Sequence, residues 1–119
     1  MAKIVAVVDD LFFGAKISET ARQLGAELQL VRAADFSPAR LANGSPALVI
    51  VDLNAGSANP VELVRQLKSD AELGRLPVIG FLSHVQVDLQ RAAQQAGCDE
   101  VMPRSKFSAT LPEILRRHL

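Results

Sequence analysis

Two short apolar runs decide most of what this chain can fold into: Ile4-Val5-Ala6-Val7-Val8 and Ala47-Leu48-Val49-Ile50-Val51. Both are continuous rather than alternating, rich in β-branched residues, and stopped by aspartate, at Asp9-Asp10 and at Asp52. A strand with one wet face alternates apolar and polar residues, whereas a strand covered by helices on both faces does not. The pattern predicts a parallel sheet buried on both sides. Weaker strand patterns cover Glu27 to Arg32, Val78 to Leu82 and Glu100 to Met102.

Helical periodicity fills the intervals. Ile17, Ala21 and Leu24 share one face and end at Gly25, a residue suited to helix termination. Ser37-Pro38 predicts the start of a short helix closed by Asn43-Gly44. Asn59-Pro60-Val61-Glu62 combines an N-cap, a first-turn proline and a glutamate ahead of Leu63, Val64 and Leu67. Ser83-His84-Val85-Gln86 has the form of a capping box before Leu89, Ala92, Ala93 and Ala96, with Ser83 as the N-cap. A last helix is expected from about Ser108 or Thr110, with Leu111, Ile114 and Leu115 inward and Arg116, Arg117 and His118 at its negative end. The order reads as β-α five times over. With right-handed crossovers this gives a doubly wound, five-stranded α/β/α sandwich. Ala55 to Asn59 is the most flexible-looking stretch.

Composition narrows the functions. The 119 residues fit one domain, 1–119, and 49% of them are hydrophobic, enough for a sizeable core. Thirteen Lys+Arg balance thirteen Asp+Glu, which argues against a partner that is nucleic acid or an anionic membrane. No signal peptide is evident, no apolar run approaches a membrane span, and the single Cys98 excludes an internal disulfide. The expectation is a soluble cytoplasmic domain.

In this architecture ligands bind at the carboxyl ends of the strands. Asp9, Asp10 and Asp52 would meet there if the first and third strands are neighbours. Three like charges repel unless a cation neutralises them, and Mg²⁺, a hard ion that takes carboxylates, carbonyls and water, suits the set. A carboxylate beside such an ion can attack phosphorus.

These residues resemble the receiver domains of two-component response regulators. Val7-Val8-Asp9-Asp10 is similar to that family's first-strand acid pair. Leu48-Val49-Ile50-Val51-Asp52-Leu53 is similar to its phosphoacceptor strand, Pro77-Val78-Ile79 to the opening of its fourth strand, and Ala96-Gly97-Cys98-Asp99-Glu100 to the lead into its fifth. The resemblance spans nearly the whole chain and implies a flavodoxin-like sheet of order 2-1-3-4-5. It further implies Asp52 as phosphoacceptor, Asp9 and Asp10 as Mg²⁺ ligands directly or through water, and the Asn54 backbone carbonyl as a further ligand.

The sequence also departs from that family. Leu82 falls where receivers carry Thr or Ser, with Ser83 one residue late. Arg104-Ser105 replaces the usual Lys-Pro, with Lys106 nearby as a substitute. Val101 stands at the aromatic switch position, and Ala55-Gly56 replaces Met-Pro. The leading expectation is a stand-alone receiver phosphorylated at Asp52 by a histidine kinase or phosphotransfer protein, acting in trans on a downstream protein, with a homodimer left open. At most it would self-phosphorylate and dephosphorylate. The alternative is a phosphorylation-independent pseudo-receiver. A small Mg²⁺-dependent phosphohydrolase ranks below both, because Phe12 stands where a second aspartate would be needed. Phe13 is expected in the core, and one of Leu11 and Phe12 exposed on a partner-binding edge. His84 reads as a rim residue, Cys98 as a small core hydrophobe, and Gln90, Gln94 and Gln95 as a lightly charged helix face suited to association.

Overall fold

The structure is a computed structural model, and it describes residues 3–41, 46–83 and 86–119. Five strands, β1 (Lys3–Val7), β2 (Glu27–Val31), β3 (Leu48–Asp52), β4 (Val78–Leu82) and β5 (Glu100–Pro103), form one parallel sheet of order β2-β1-β3-β4-β5. Both the parallel sheet and its expected order are observed. Four α-helices cover it: α1 (Leu11–Gln23), α2 (Pro60–Ser69), α3 (Val87–Ala96) and α4 (Arg104–Arg117).

The period of two along a strand divides the apolar runs between two cores. Ile4, Ala6, Leu48, Ile50, Ile79 and Phe81 face α1 and α4, which contribute Phe13, Ile17, Ala21, Phe107, Leu111, Ile114 and Leu115. Val5, Val7, Val49, Val51 and Val78 face α2 and α3, which contribute Val64, Leu67, Ala93 and Ala96. Both faces of β3 are therefore dry, and a continuous run of β-branched residues is what such a strand needs. Gly25 and Gly97 adopt φ of 72° and 116° just after α1 and α3, a conformation that residues with a Cβ avoid.

Three local expectations are corrected. The β2–β3 connection carries no α-helix among the described residues. It makes two 3₁₀ turns, Ala33–Asp35 and Pro38–Leu41. Pro38 disfavours helical backbone at Ser37 and so divides the segment, while Phe36 and Leu41 still reach the core. Asn43-Gly44 lies outside the described residues. Next, α3 begins at Val87 with Gln86 as its N-cap and no side-chain cap bond, so Ser83 is not the cap. His84 lies outside the described residues. Finally, α4 begins at Arg104 rather than near Ser108. Phe107, fully buried, extends the apolar face of Leu111 and Ile114 one turn toward the N-terminus.

Candidate functional site

β1 and β3 are paired in register from Ile4 with Leu48 to Val7 with Val51, so the aspartates that follow each strand emerge on the same rim. Their environments differ. Asp10 is the N-cap of α1, where its Oδ1 accepts the Phe13 N–H at 3.0 Å. Its Oδ2 faces Arg104 Nη1 at 3.4 Å. Asp52 is the one buried charged residue among the described residues, 2% exposed. Its Oδ1 accepts the Asn54 N–H at 2.9 Å, and its Oδ2 faces Arg104 Nη2 at 3.7 Å. One guanidinium thus spans both carboxylates, and Arg104 points into the site.

Asp9 turns away from this pair. Its Oδ1 accepts the Ala33 N–H at 2.9 Å and its Oδ2 the Ser57 N–H at 2.8 Å. The Ser57 hydroxyl also bonds Asp9 and accepts the Ala34 N–H at 2.9 Å. Asp9 therefore ties the turn after β2 to the loop after β3. The stretch from Ala55 to Asn59, flexible-looking in sequence, is anchored at its centre by Ser57. Asp10 and Asp52 thus share Arg104, while Asp9, expected beside them as a metal ligand, has each oxygen engaged by a backbone amide.

The remaining expected residues separate. Leu82 is 1% exposed and packs in the core between the sheet and α2, so it brings no hydroxyl to the rim. Ser83 brings its backbone amide, which donates to Asn54 Oδ1 at 2.6 Å. Asn54 Nδ2 in turn donates to Gln86 Oε1 at 2.9 Å. Asn54 is thus a clasp between the loops after β3 and β4. Lys106 does not substitute for Arg104. Two helical steps rotate it by about 200°, and it lines a separate cleft beside β5 with Glu100, Thr110, Glu113 and Arg117. Both Leu11 and Phe12 are exposed, at 84% and 91%, where one was expected. Ser57 and Phe81 had no part in the expected site, and their only sequence signal was position just past or inside the central strands.

Electrostatics follow the geometry. Burial pushes the Asp52 carboxyl above its ordinary value of 3.8, opposed by the Asn54 amide and Arg104 and reinforced by Asp10 and Asp9. A raised folded-state pKa means that the stability tied to this carboxyl is complete at low pH and is lost as pH rises through that value. Asp52→Asn is therefore expected to stabilise the protein by about 0.5–2 kcal/mol at pH 7, the range common for single stabilising substitutions. The gain should shrink toward acid and vanish where Asp52 is protonated. Arg104 keeps Asp10 as a partner, so the substitution strands no buried charge. Urea denaturation at a series of pH values checks this, and a destabilised Asp52→Asn at pH 7 would refute it.

Among the described residues, no group of three or more His, Cys, Asp or Glu side chains is arranged to hold a metal. The two oxygens that face Arg104 do fit a cation, since both are carboxylate oxygens converging on positive charge. Of the three expected carboxylates, Asp10 and Asp52 are the two that face a common cation. No helix among the described residues is long and apolar enough to cross a membrane.

No protein-family model matches the chain, and no curated protein matches it. Solved structures do. Chemotaxis protein CheY4 of Vibrio cholerae is 19% identical, with 100% of this chain and 99% of that one covered at a TM-score of 0.85. The Mn²⁺-bound form of the response regulator Rcp1 is 18% identical, with 96% and 91% covered at 0.79. The phosphorylated cyanobacterial phytochrome response regulator RcpA is 23% identical, with 98% and 89% covered at 0.77. At these identities the likeness is one of fold.

Proposed function

From a chain with the fold of a response-regulator receiver domain, we propose a phosphorelay receiver module in which Asp52 accepts a phosphoryl group and contact with another protein carries the output. The observation that carries this reading is the buried Asp52 carboxylate at the end of β3, facing the same cation as Asp10. A phosphoacceptor needs a carboxylate oxygen held in place, a neighbouring positive charge to offset the transferring phosphoryl oxygens, and a site dry enough to protect the product. Asp52 has its Oδ1 fixed by the Asn54 amide and its Oδ2 directed at Arg104. That second oxygen is the attacking atom. It forms a bond to phosphorus as the bond from phosphorus to a phosphodonor breaks, leaving an aspartyl phosphate that water returns to carboxylate. Mg²⁺, held by Asp10, Asp52 and the Asn54 carbonyl, would supply further charge neutralisation during the transfer.

The phosphodonor in this reading is a phosphohistidine on a kinase or phosphotransfer protein. Leu11 and Phe12, exposed beside Asp10, form part of the edge that meets a protein in trans. Catalysis in this reading is limited to the domain's own phosphorylation and dephosphorylation.

A second reading rests on Leu82. Its buried methyl groups stand where receivers use a hydroxyl to register phosphorylation, which favours a module that binds its partner without phosphorylation.

Incubation with Mg²⁺ and acetyl phosphate separates the two. The expected result is one phosphoryl group per chain, released by hydroxylamine and absent from Asp52→Ala. An unlabelled wild-type protein that keeps its fold and its partner would overturn the first reading in favour of the second. Turnover of phosphate esters that survives Asp52→Ala would instead point to a hydrolase.

A further inference from the structure

Arg104 is held from behind as well as in front. Its guanidinium carbon lies 4.6 Å from the centre of the Phe13 ring and 5.7 Å from that of Phe81. Phe13 and Phe81 are 4.9 Å apart, Phe81 and Phe107 stack at 4.6 Å, and Phe13 and Phe107 lie 5.9 Å apart. The three rings come from α1, β4 and α4. Phe81 and Phe107 are fully buried, so the platform has no room to yield. Arg104 Nε is buried with no hydrogen-bond partner, which leaves the ring faces and the two carboxylates to set the guanidinium's position. A planar, weakly hydrated guanidinium suits such a seat, whereas a compact and strongly hydrated lysine ammonium does not.

We infer that Arg104, seated on Phe13 and Phe81, is a resident counter-ion that competes with a divalent cation for Asp10 and Asp52. This rests on the proposed reading that these carboxylates form the cation-binding end of the site. Phe13 and Phe81 are then positioning residues, acting on the cation site only through Arg104. A divalent ion would be held by the same two carboxylates, Asp10 and Asp52, that the guanidinium faces at 3.4 and 3.7 Å. It must displace that charge or lie beside it, and either course weakens its binding. Loading of the site therefore works against the charge that Phe13 and Phe81 hold over the two carboxylates.

Binding of Mn²⁺ alone, followed by electron paramagnetic resonance with no phosphodonor present, tests this. Arg104→Ala is expected to bind Mn²⁺ about tenfold more tightly than wild type, the scale of removing one unit charge a few ångströms from a divalent ion in a solvated site. Arg104→Gln provides the same test should the alanine variant fail to fold. Phe13→Leu should shift affinity the same way by a smaller factor, and Phe13→Tyr, which keeps the ring, should restore wild-type affinity. Adding Asp10→Asn to Arg104→Ala should abolish the gain. Unchanged or weaker Mn²⁺ binding in folded Arg104 variants would overturn the competition, as would no Mn²⁺ binding in any of the proteins. Tighter binding in Arg104→Ala with wild-type affinity in Phe13→Leu would overturn the positioning role. A failure of Asp52 to take up phosphate would sink the proposed function and leave this result standing.

Discussion

Phe107→Ala is expected to lower the free energy of unfolding by about 3–5 kcal/mol, the usual cost of emptying a fully buried aromatic site. Phe107 is wholly inaccessible to solvent and packs against Phe81, Phe13 and the sheet face covered by α1 and α4. Its neighbours come from three different elements and cannot all move in to fill the space, so a cavity remains. The stacked contact with Phe81 adds about 0.5–1.5 kcal/mol beyond area burial. For a domain with a total stability of about 5–15 kcal/mol, this is a large fraction. A lower urea midpoint with an unchanged slope is the expected observation. Phe107→Leu should lose much less, because most of the volume stays. A loss under about 1 kcal/mol for the alanine variant would show that the site collapses and the ring cluster is not close-packed.

Asp9→Ala is expected to cost about 2–4 kcal/mol, from two charge-assisted hydrogen bonds to backbone amides that have no other partner among the described residues. The Ala33 and Ser57 amides lie in loops that follow different strands, so losing Asp9 frees both loops at once. Asp9→Asn keeps one acceptor oxygen and should cost about half as much. The pH dependence has a definite sign. Burial pushes the Asp9 carboxyl up, but the amides of Ala33 and Ser57, the Ser57 hydroxyl and Arg32 outweigh it and hold the carboxyl below 3.8. Its contribution is therefore complete above that value and is lost as pH falls through the lower folded-state value. Wild type should lose this increment on acidification, and Asp9→Ala, lacking it at neutral pH, should not. Equal stability of the two proteins at pH 7 would refute the tethering role of Asp9.

The contrast between Asp9 and Asp10 marks how far the sequence could be read. Adjacent in the chain and identical in chemistry, both were read as candidate ligands, Asp10 ahead of Asp9. Successive side chains leaving a strand point to opposite sides, and here one reaches loop amides while the other reaches Arg104. Arg104 itself was legible as the cation at the lysine position. Its aim was not, because a side chain at the first position of a helix is directed by whatever packs beneath it, and Phe13 and Phe81 lie 91 and 23 residues away. The displaced starts of α3 and α4 have a similar cause. Ser83 had the chemistry of a cap, yet α3 begins four residues later at Val87, and Ser83 instead meets Asn54 from the loop after β3. Phe107 is drawn inward by rings from α1 and β4 and takes the first turn of α4 with it.

While the neighbouring of β1 and β3 came from the resemblance, the chain's own order of residues was enough to determine the parallel sheet, the burial of its central strands on both faces, the aspartates at the ends of β1 and β3, and the core faces of the helices. These follow from local periodicity, and apolar burial rewards only one arrangement of such a pattern. Which oxygens remain available, which cation they face and what that cation rests on were decided by the tertiary structure alone. Those properties depend on directions between groups far apart in sequence, and they become definite only when packing brings the loops and rings together.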